Sequence, residues 1–100
     1  MDKLKTTRFD VTEFLKDEET ITLFLEEAFA TDDPAYIAKA LGAVARARNM
    51  TRLAADAGMS RTSLYKVLSG EGHPEFGSIV KIANALGYRV TVTPRVDEAA

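Results

Sequence analysis

Residues 50–70, MTRLAADAGMSRTSLYKVLSG, have the spacing of two short helices joined by a tight turn. Apolar side chains recur where two crossing helices must bury them, at Leu53, Ala57, Met59, Leu64 and Val67. Ala54 supplies the small side chain that a close crossing needs, and Gly58 tolerates the positive φ that the turn demands. The pattern predicts a helix-turn-helix.

The second helix of this motif has a polar outer face. Ser60 precedes the helix, and its hydroxyl can accept a hydrogen bond from a backbone N–H of the first turn. The outward positions carry hydroxyl groups and cations, at Arg61, Thr62, Tyr65, Lys66 and Ser69. Such a face suits the major groove of DNA. Two other interpretations stay open: a solvated corner of a helical bundle, and a protein adaptor that does not bind DNA.

Charge is distributed unevenly along the 100 residues, whose net charge is −2. Residues 1–38 hold four cations and ten anions, a net charge of −6, whereas residues 39–70 hold six cations and one anion, a net charge of +5. The basic segment contains the motif and favours phosphate. The acidic segment repels DNA and suits a basic protein such as a ribonuclease, although a merely solvated acidic surface is the alternative.

Composition excludes several classes of protein. A chain of 100 residues supports one hydrophobic core, and the absence of cysteine excludes disulfides and thiolate metal sites. Its apolar runs are too short for a membrane span or a signal peptide, so we expect a cytoplasmic protein. With His73 as the single histidine and no phosphate-binding glycine loop, we expect no enzyme activity, no cofactor and no metal.

Helical periodicity flanks the motif on both sides. It predicts a short turn at residues 11–15 after an Asp10 cap, amphipathic helices at 20–30 and 34–48, and a last helix at 76–86 with Phe76 on its apolar face. Asp33 and Pro34 are typical of a helix start, Asn49 is placed to cap the first motif helix, and Gly87 is placed to end the last helix.

The period changes to two at residues 88–94, YRVTVTP, where Tyr88, Val90 and Val92 alternate with polar residues. This alternation predicts a short β-strand that Pro94 ends. A lone strand leaves its backbone groups unpaired, so the partner is expected to be residues 4–9 or the same strand of a second subunit.

The expected architecture is therefore a mainly all-α single domain, residues 1–100, of five or six helices and a short C-terminal strand. It consists of an acidic extension (1–32), a helix-turn-helix core (33–87) and the strand (88–94).

Residues 45–92, ARARNMTRLAADAGMSRTSLYKVLSGEGHPEFGSIVKIANALGYRVTV, resemble the addiction-module antidote family, antitoxins of the HigA type. The residues that match the motif of the family are Leu53, Ala54, Gly58, Ser60, Arg61, Leu64, Tyr65, Leu68 and the ALG at 85–87. His73 departs from it, since asparagine is expected there. The resemblance implies the phage-repressor-like (XRE/Cro) helix-turn-helix fold.

The resemblance also implies a function. Members of this family are small cytoplasmic proteins encoded beside a RelE-like ribonuclease toxin, which they bind and silence while repressing the shared operon. We therefore expect a DNA-binding antitoxin of a type II toxin–antitoxin module. The alternatives are a stand-alone helix-turn-helix transcriptional regulator without a toxin partner and an inhibitory module that never contacts DNA.

Candidate contact residues can be assigned for both partners, DNA and the toxin. A homodimer would place two copies of the helix at residues 60–69 in major grooves about 34 Å apart, so that it binds an inverted-repeat operator. Ser60, which caps this helix, is also expected among the DNA-binding residues. Arg61 is expected to contact guanine and Thr62 a base edge, because both lie near the helix N-terminus. Phosphate contacts are expected from Thr51, Tyr65, Lys66 and Ser69. Toxin contacts are expected from the acidic residues Glu26, Glu27, Asp32 and Asp33.

Overall fold

The structure, a computed structural model, describes residues 15–96. This part of the chain contains five α-helices. They are α1 (Glu18–Ala30), α2 (Pro34–Arg46), α3 (Met50–Ala57), α4 (Arg61–Leu68) and α5 (Phe76–Ala85). No strand forms among these described residues. The expectation of a mainly all-α chain is therefore confirmed.

Helix α2 is the centre of the hydrophobic core and contacts the other four helices. Its buried residues are mostly small: Ala38, Ala40, Leu41, Gly42, Ala43, Val44 and Ala45. A Cβ added to Gly42 would lie 3.2 Å from the carbonyl oxygen of Leu68 at the end of α4. The small residues of α2 thus let α4 lie directly against it.

Local capping bonds explain where the helices begin. The carboxylate of Asp33 accepts the backbone N–H groups of Ala35 and Tyr36 at 3.1 and 3.4 Å, and Pro34 occupies the first turn. Asn49 caps α3 through the N–H of Arg52 at 3.0 Å. These two predicted helix starts are confirmed, whereas α1 begins two residues earlier than predicted because Asp17 caps it.

The turn between α3 and α4 has the predicted geometry. Gly58 adopts φ 69° and ψ 34°, in the left-handed region. The N–H of Met59 donates to the carbonyl oxygen of Ala54 at 2.9 Å, which closes the C-terminus of α3 in a Schellman-type arrangement. Ser60 then caps α4, so only two residues separate the turn glycine from Arg61.

Three expectations need correction. The strand at 88–94 does not form: residues 88–96 run without regular structure, because a strand requires a laddered partner and the described residues provide none. Phe76 is 72% exposed, since it starts α5 beyond the reach of the core. Helix α2 ends at Arg46 rather than at residue 48. After Arg46 the N–H groups of Ala47 and Arg48 donate 3₁₀-type hydrogen bonds to the carbonyl oxygens three residues earlier. Of the expected turn at 11–15 the structure describes only Leu15, which is buried in a turn; its residues 11–14, its Asp10 cap and the possible partner strand at 4–9 lie outside the described residues.

Replacing Ser60 with alanine should lower the free energy of unfolding by about 1 kcal/mol, since the Ser60 hydroxyl accepts the N–H of Ser63 at 3.0 Å. Chemical denaturation followed by circular dichroism measures this loss. Ser63→Ala is the matched control, because the side chain of Ser63 is exposed and alanine is the better helix former. An equal loss in both variants would contradict the capping role.

Candidate nucleic-acid interface

Helix α4 has one buried side and one exposed side. Leu64 is fully buried and Leu68 is 7% exposed, so both fix the helix against α2 and α3. The five residues predicted for the outer face are all exposed: Arg61, Thr62, Tyr65, Lys66 and Ser69. The structure therefore brings the predicted residues onto a single face, which we call the α4 face.

The side chains of Arg61 and Tyr65 interact on the α4 face. The Nη2 of Arg61 donates a hydrogen bond to the hydroxyl of Tyr65 at 3.0 Å, and the Cζ of Arg61 lies 5.5 Å from the centroid of the Tyr65 ring. The aromatic ring and the hydroxyl group both restrain the guanidinium. Four of its five N–H donors stay available, enough for a bidentate contact. The sequence identified both residues as candidates but gave no sign of this pair.

Two hydroxyl groups of the predicted site are engaged with local backbone. The Oγ of Ser60 accepts the N–H of Ser63, and the Oγ of Ser69 donates to the carbonyl oxygen of Lys66 at 2.8 Å while accepting the N–H of Glu71 at 3.2 Å. These two serines fix the ends of α4. Thr51 is exposed in the first turn of α3, near the end of α2 where Arg46 and Arg48 are also exposed.

The basic segment keeps most of its charge unneutralised. Its single anion, Asp56, lies on α3 and accepts an ion pair from Arg52 one turn earlier, at 3.5 Å. The remaining cations of residues 39–70 are exposed and make no ion pair among the described residues: Lys39, Arg46, Arg48, Arg61 and Lys66. Arg46 and Arg48 were not assigned to the site, although the local charge count already indicated them.

The four acidic candidates divide into two kinds. Glu26 and Glu27 are exposed on α1 and make no hydrogen bond or ion pair within residues 15–96. Asp33 caps α2, and Asp32 adopts φ 59° and pairs with Arg95 at 3.5 Å. The two aspartates therefore have structural roles, whereas the two glutamates present charge to solvent that no described side chain pairs.

Two other kinds of site are absent from residues 15–96. No three His, Cys, Asp or Glu side chains lie where they could hold a metal ion. None of the five helices has the length and the apolar character that crossing a bilayer requires.

Comparison with known proteins agrees with the resemblance seen in the sequence. The family model described as "probable addiction module antidote protein" matches residues 5–94. An uncharacterised protein of Haemophilus influenzae (strain Rd) is 49% identical over 84 residues, which cover 84% of this chain and 87% of that protein. No solved structure matches the chain. The extent of the family match shows that the chain belongs to the family of probable addiction module antidote proteins.

Proposed function

We propose that this antidote protein is a DNA-binding antitoxin that neutralises a RelE-like ribonuclease toxin in the cytoplasm and represses its own operon. In this proposal α3 and α4 are the helix-turn-helix of a phage-repressor-like (XRE/Cro) domain. The observation that carries the DNA-binding part is the α4 face, where Arg61 is held over Tyr65 beside an exposed Lys66.

On DNA, α4 lies in the major groove with its N-terminus toward the bases. Arg61 donates two hydrogen bonds to O6 and N7 of a guanine, while Tyr65 restricts the rotamers of the arginine. Thr62, next to Arg61, contacts a base edge or a thymine methyl group. Lys66 and Thr51 contact phosphates, and the exposed Arg46 and Arg48 add to the attraction of the backbone.

Toxin binding uses a different surface. A ribonuclease that binds RNA is expected to carry a basic active-site region, and the exposed carboxylates of Glu26 and Glu27 on α1 complement that charge. Residues 1–38 have a net charge of −6, so α1 lies in the part of the chain that repels DNA. The two partners can therefore bind at the same time.

Binding to a labelled duplex from the region upstream of its own gene tests the DNA-binding half. Fluorescence anisotropy between 50 and 200 mM salt should show an affinity that falls steeply as salt rises. Each phosphate that the protein neutralises releases counterions and contributes about −0.9 to the slope of log affinity against log salt concentration. A scrambled duplex of the same length should bind at least about 10³-fold more weakly. Equal affinity for both duplexes would mean that the chain does not act as an operator-specific repressor.

The double substitution Glu26→Lys and Glu27→Lys should abolish toxin neutralisation, because it reverses the charges of the two acidic candidates that make neither a hydrogen bond nor an ion pair among residues 15–96. Co-expression with the product of the neighbouring gene, scored by host growth and by co-purification, measures this loss. Unfolding should stay close to that of the parent chain, since both side chains are exposed.

The double substitution Glu71→Lys and Glu75→Lys is the matched control. It makes the same change in net charge at two exposed positions outside α1, and neither side chain makes a hydrogen bond or ion pair among residues 15–96. The control should still neutralise the toxin. If the α1 variant neutralised the toxin as well as the control did, the proposed surface would be wrong.

A further inference from the structure

Tyr65 is an exposed tyrosine whose hydroxyl group lies beside a positive charge. The hydroxyl accepts a hydrogen bond from Nη2 of Arg61 at 3.0 Å, and the residue is 49% exposed. The other two tyrosines of the chain differ from it. Tyr88 is partly buried, and its hydroxyl is bonded to that of Thr22 at 2.9 Å. The side chain of Tyr36, also 49% exposed, makes no hydrogen bond among residues 15–96.

The helix around Tyr65 presents positive charge without negative charge. Residues 57–70 contain two cations, Arg61 and Lys66, and no Asp or Glu. Both cations are exposed, and neither pairs with an anion among the described residues. A guanidinium group presents its N–H donors in a planar fork that matches the oxygens of a phosphate group. A phosphate ester on the oxygen of Tyr65 would therefore lie next to a group that is well suited to bind it.

We propose that Tyr65 is a phosphorylation site, and that its phosphate group binds Arg61 and releases the protein from DNA. The proposal deepens the proposed function and rests on it, because it regulates the same α4 face that contacts the operator. The phosphoryl donor is a nucleoside triphosphate, used by a tyrosine kinase. The phenol oxygen bonds to the γ-phosphorus as the bond to the β,γ-bridging oxygen breaks. The nucleoside diphosphate leaves with that electron pair, and the phenol proton passes to a base of the kinase.

Phosphorylation changes the α4 face in two ways. First, the phosphate group supplies three strong acceptor oxygens one helical turn from Arg61, so the guanidinium can donate to them without leaving the helix surface. The same donors are the ones that a bidentate contact to guanine requires. Second, the phosphate group adds a charge of about −1.5 to −2, which faces the DNA phosphates and is repelled by them. The specific contact and the general attraction are therefore lost together.

The phosphate group leaves the proposed toxin surface unchanged. Glu26 and Glu27 are exposed on α1, whereas Tyr65 is exposed on α4 among the residues proposed to contact DNA. A phosphorylated chain should therefore still neutralise the toxin while it no longer represses the operon. Transcription of the operon can then rise without release of the toxin.

The full chain carrying phosphotyrosine at position 65, incorporated through a reassigned codon, tests the switch directly. Fluorescence anisotropy should show about 100-fold weaker binding to the operator than for the parent chain, because the Arg61 contact is lost and like charges repel. Phosphotyrosine at position 36 is the matched control, since Tyr36 is equally exposed and lies in the first turn of α2, outside the α4 face. The control should lose at least about tenfold less affinity, because solvent ions screen a charge that is farther from the DNA. A tyrosine phosphatase should restore binding.

Binding of the phosphate group by Arg61 has a signature that repulsion alone lacks. In an Arg61→Ala background, phosphotyrosine at position 65 should weaken operator binding at least about fivefold less than it does in the parent chain, because the contact it removes is already missing. Lys66→Ala is the matched background, since it removes one exposed cation from the same face. There the phosphate group should keep nearly its whole effect. Equal effects in the two backgrounds would contradict the binding of the phosphate group by Arg61.

Mass spectrometry of the chain isolated from the organism that encodes it tests the modification itself. Phosphate should be found on Tyr65, with a higher occupancy in cultures where the operon transcript is abundant than where it is scarce. Absence of phosphate from Tyr65 in both cultures would overturn the proposal. So would a chain with phosphotyrosine at position 65 that binds the operator as tightly as the parent chain. A parent chain that fails to distinguish the operator from a scrambled duplex would instead contradict the proposed function, so the two failures are distinguishable.

Discussion

Arg61→Ala is expected to weaken binding to the operator by about 5-fold to 150-fold, equivalent to about 1 to 3 kcal/mol, the usual contribution of a bidentate contact to guanine. The variant should also lose discrimination at one base-pair position of each half-site, while its affinity for a scrambled duplex changes little. Anisotropy titrations against the operator and a set of single-position variants measure both effects. Folding should be unaffected, because Arg61 is exposed and its hydrogen bond is to the exposed Tyr65.

Lys66→Ala is the matched control for this experiment, since it removes one exposed cation from the same face of α4. It should weaken binding to all duplexes alike and reduce the salt slope by about one. If Arg61→Ala bound the operator as tightly as the parent chain, or lost affinity uniformly like Lys66→Ala, Arg61 would not contact a base.

Gly70→Ala is expected to lower the free energy of unfolding by about 2 to 4 kcal/mol, the largest stability effect among these predictions. Gly70 follows α4 with φ 78°, and a Cβ there would lie 2.9 Å from the carbonyl oxygen of Ala35 and 2.9 Å from the Cγ of Lys39. The lysine side chain can move, but the carbonyl belongs to the first turn of α2 and cannot. Thermal unfolding should show a midpoint at least about 10 °C lower.

Gly58→Ala is the control for Gly70→Ala, because it introduces the same backbone strain without the steric clash. Gly58 has a similar φ of 69°, but nothing lies within 4 Å of a Cβ added there. Its substitution should therefore cost only about 1 kcal/mol, the strain of a left-handed alanine. Equal losses at the two glycines would show that α4 is not packed closely against the start of α2.

Much of the fold could be predicted from local sequence because local hydrogen bonds fix it. Asp33 with Pro34, Asn49, Gly58 and Ser60 each act on a neighbouring turn, and the structure gives all of them the predicted roles. The outward residues of α4 were predictable for a similar reason, because helical geometry decides which positions lie opposite a buried leucine.

The remaining features depend on contacts that no local pattern contains. Phe76 fits the apolar period of α5, but it is exposed because none of the described residues packs over it. The alternation at 88–94 is a strand pattern without a ladder in the described residues, since pairing requires a second segment. The pair formed by Arg61 and Tyr65, and the engagement of Ser69 with Lys66 and Glu71, depend on side-chain conformations that residue spacing leaves undetermined.

The most direct test of the central claim is growth rescue of a host that expresses the product of the neighbouring gene, with three versions of this chain compared side by side. The parent chain and Arg61→Ala should both restore growth, whereas the double variant Glu26→Lys and Glu27→Lys should not, because the toxin and the operator contact different surfaces. A neighbouring gene product that leaves growth unchanged when expressed alone would contradict the antitoxin function. Loss of rescue in Arg61→Ala with retention in the α1 variant would contradict the assignment of the two surfaces.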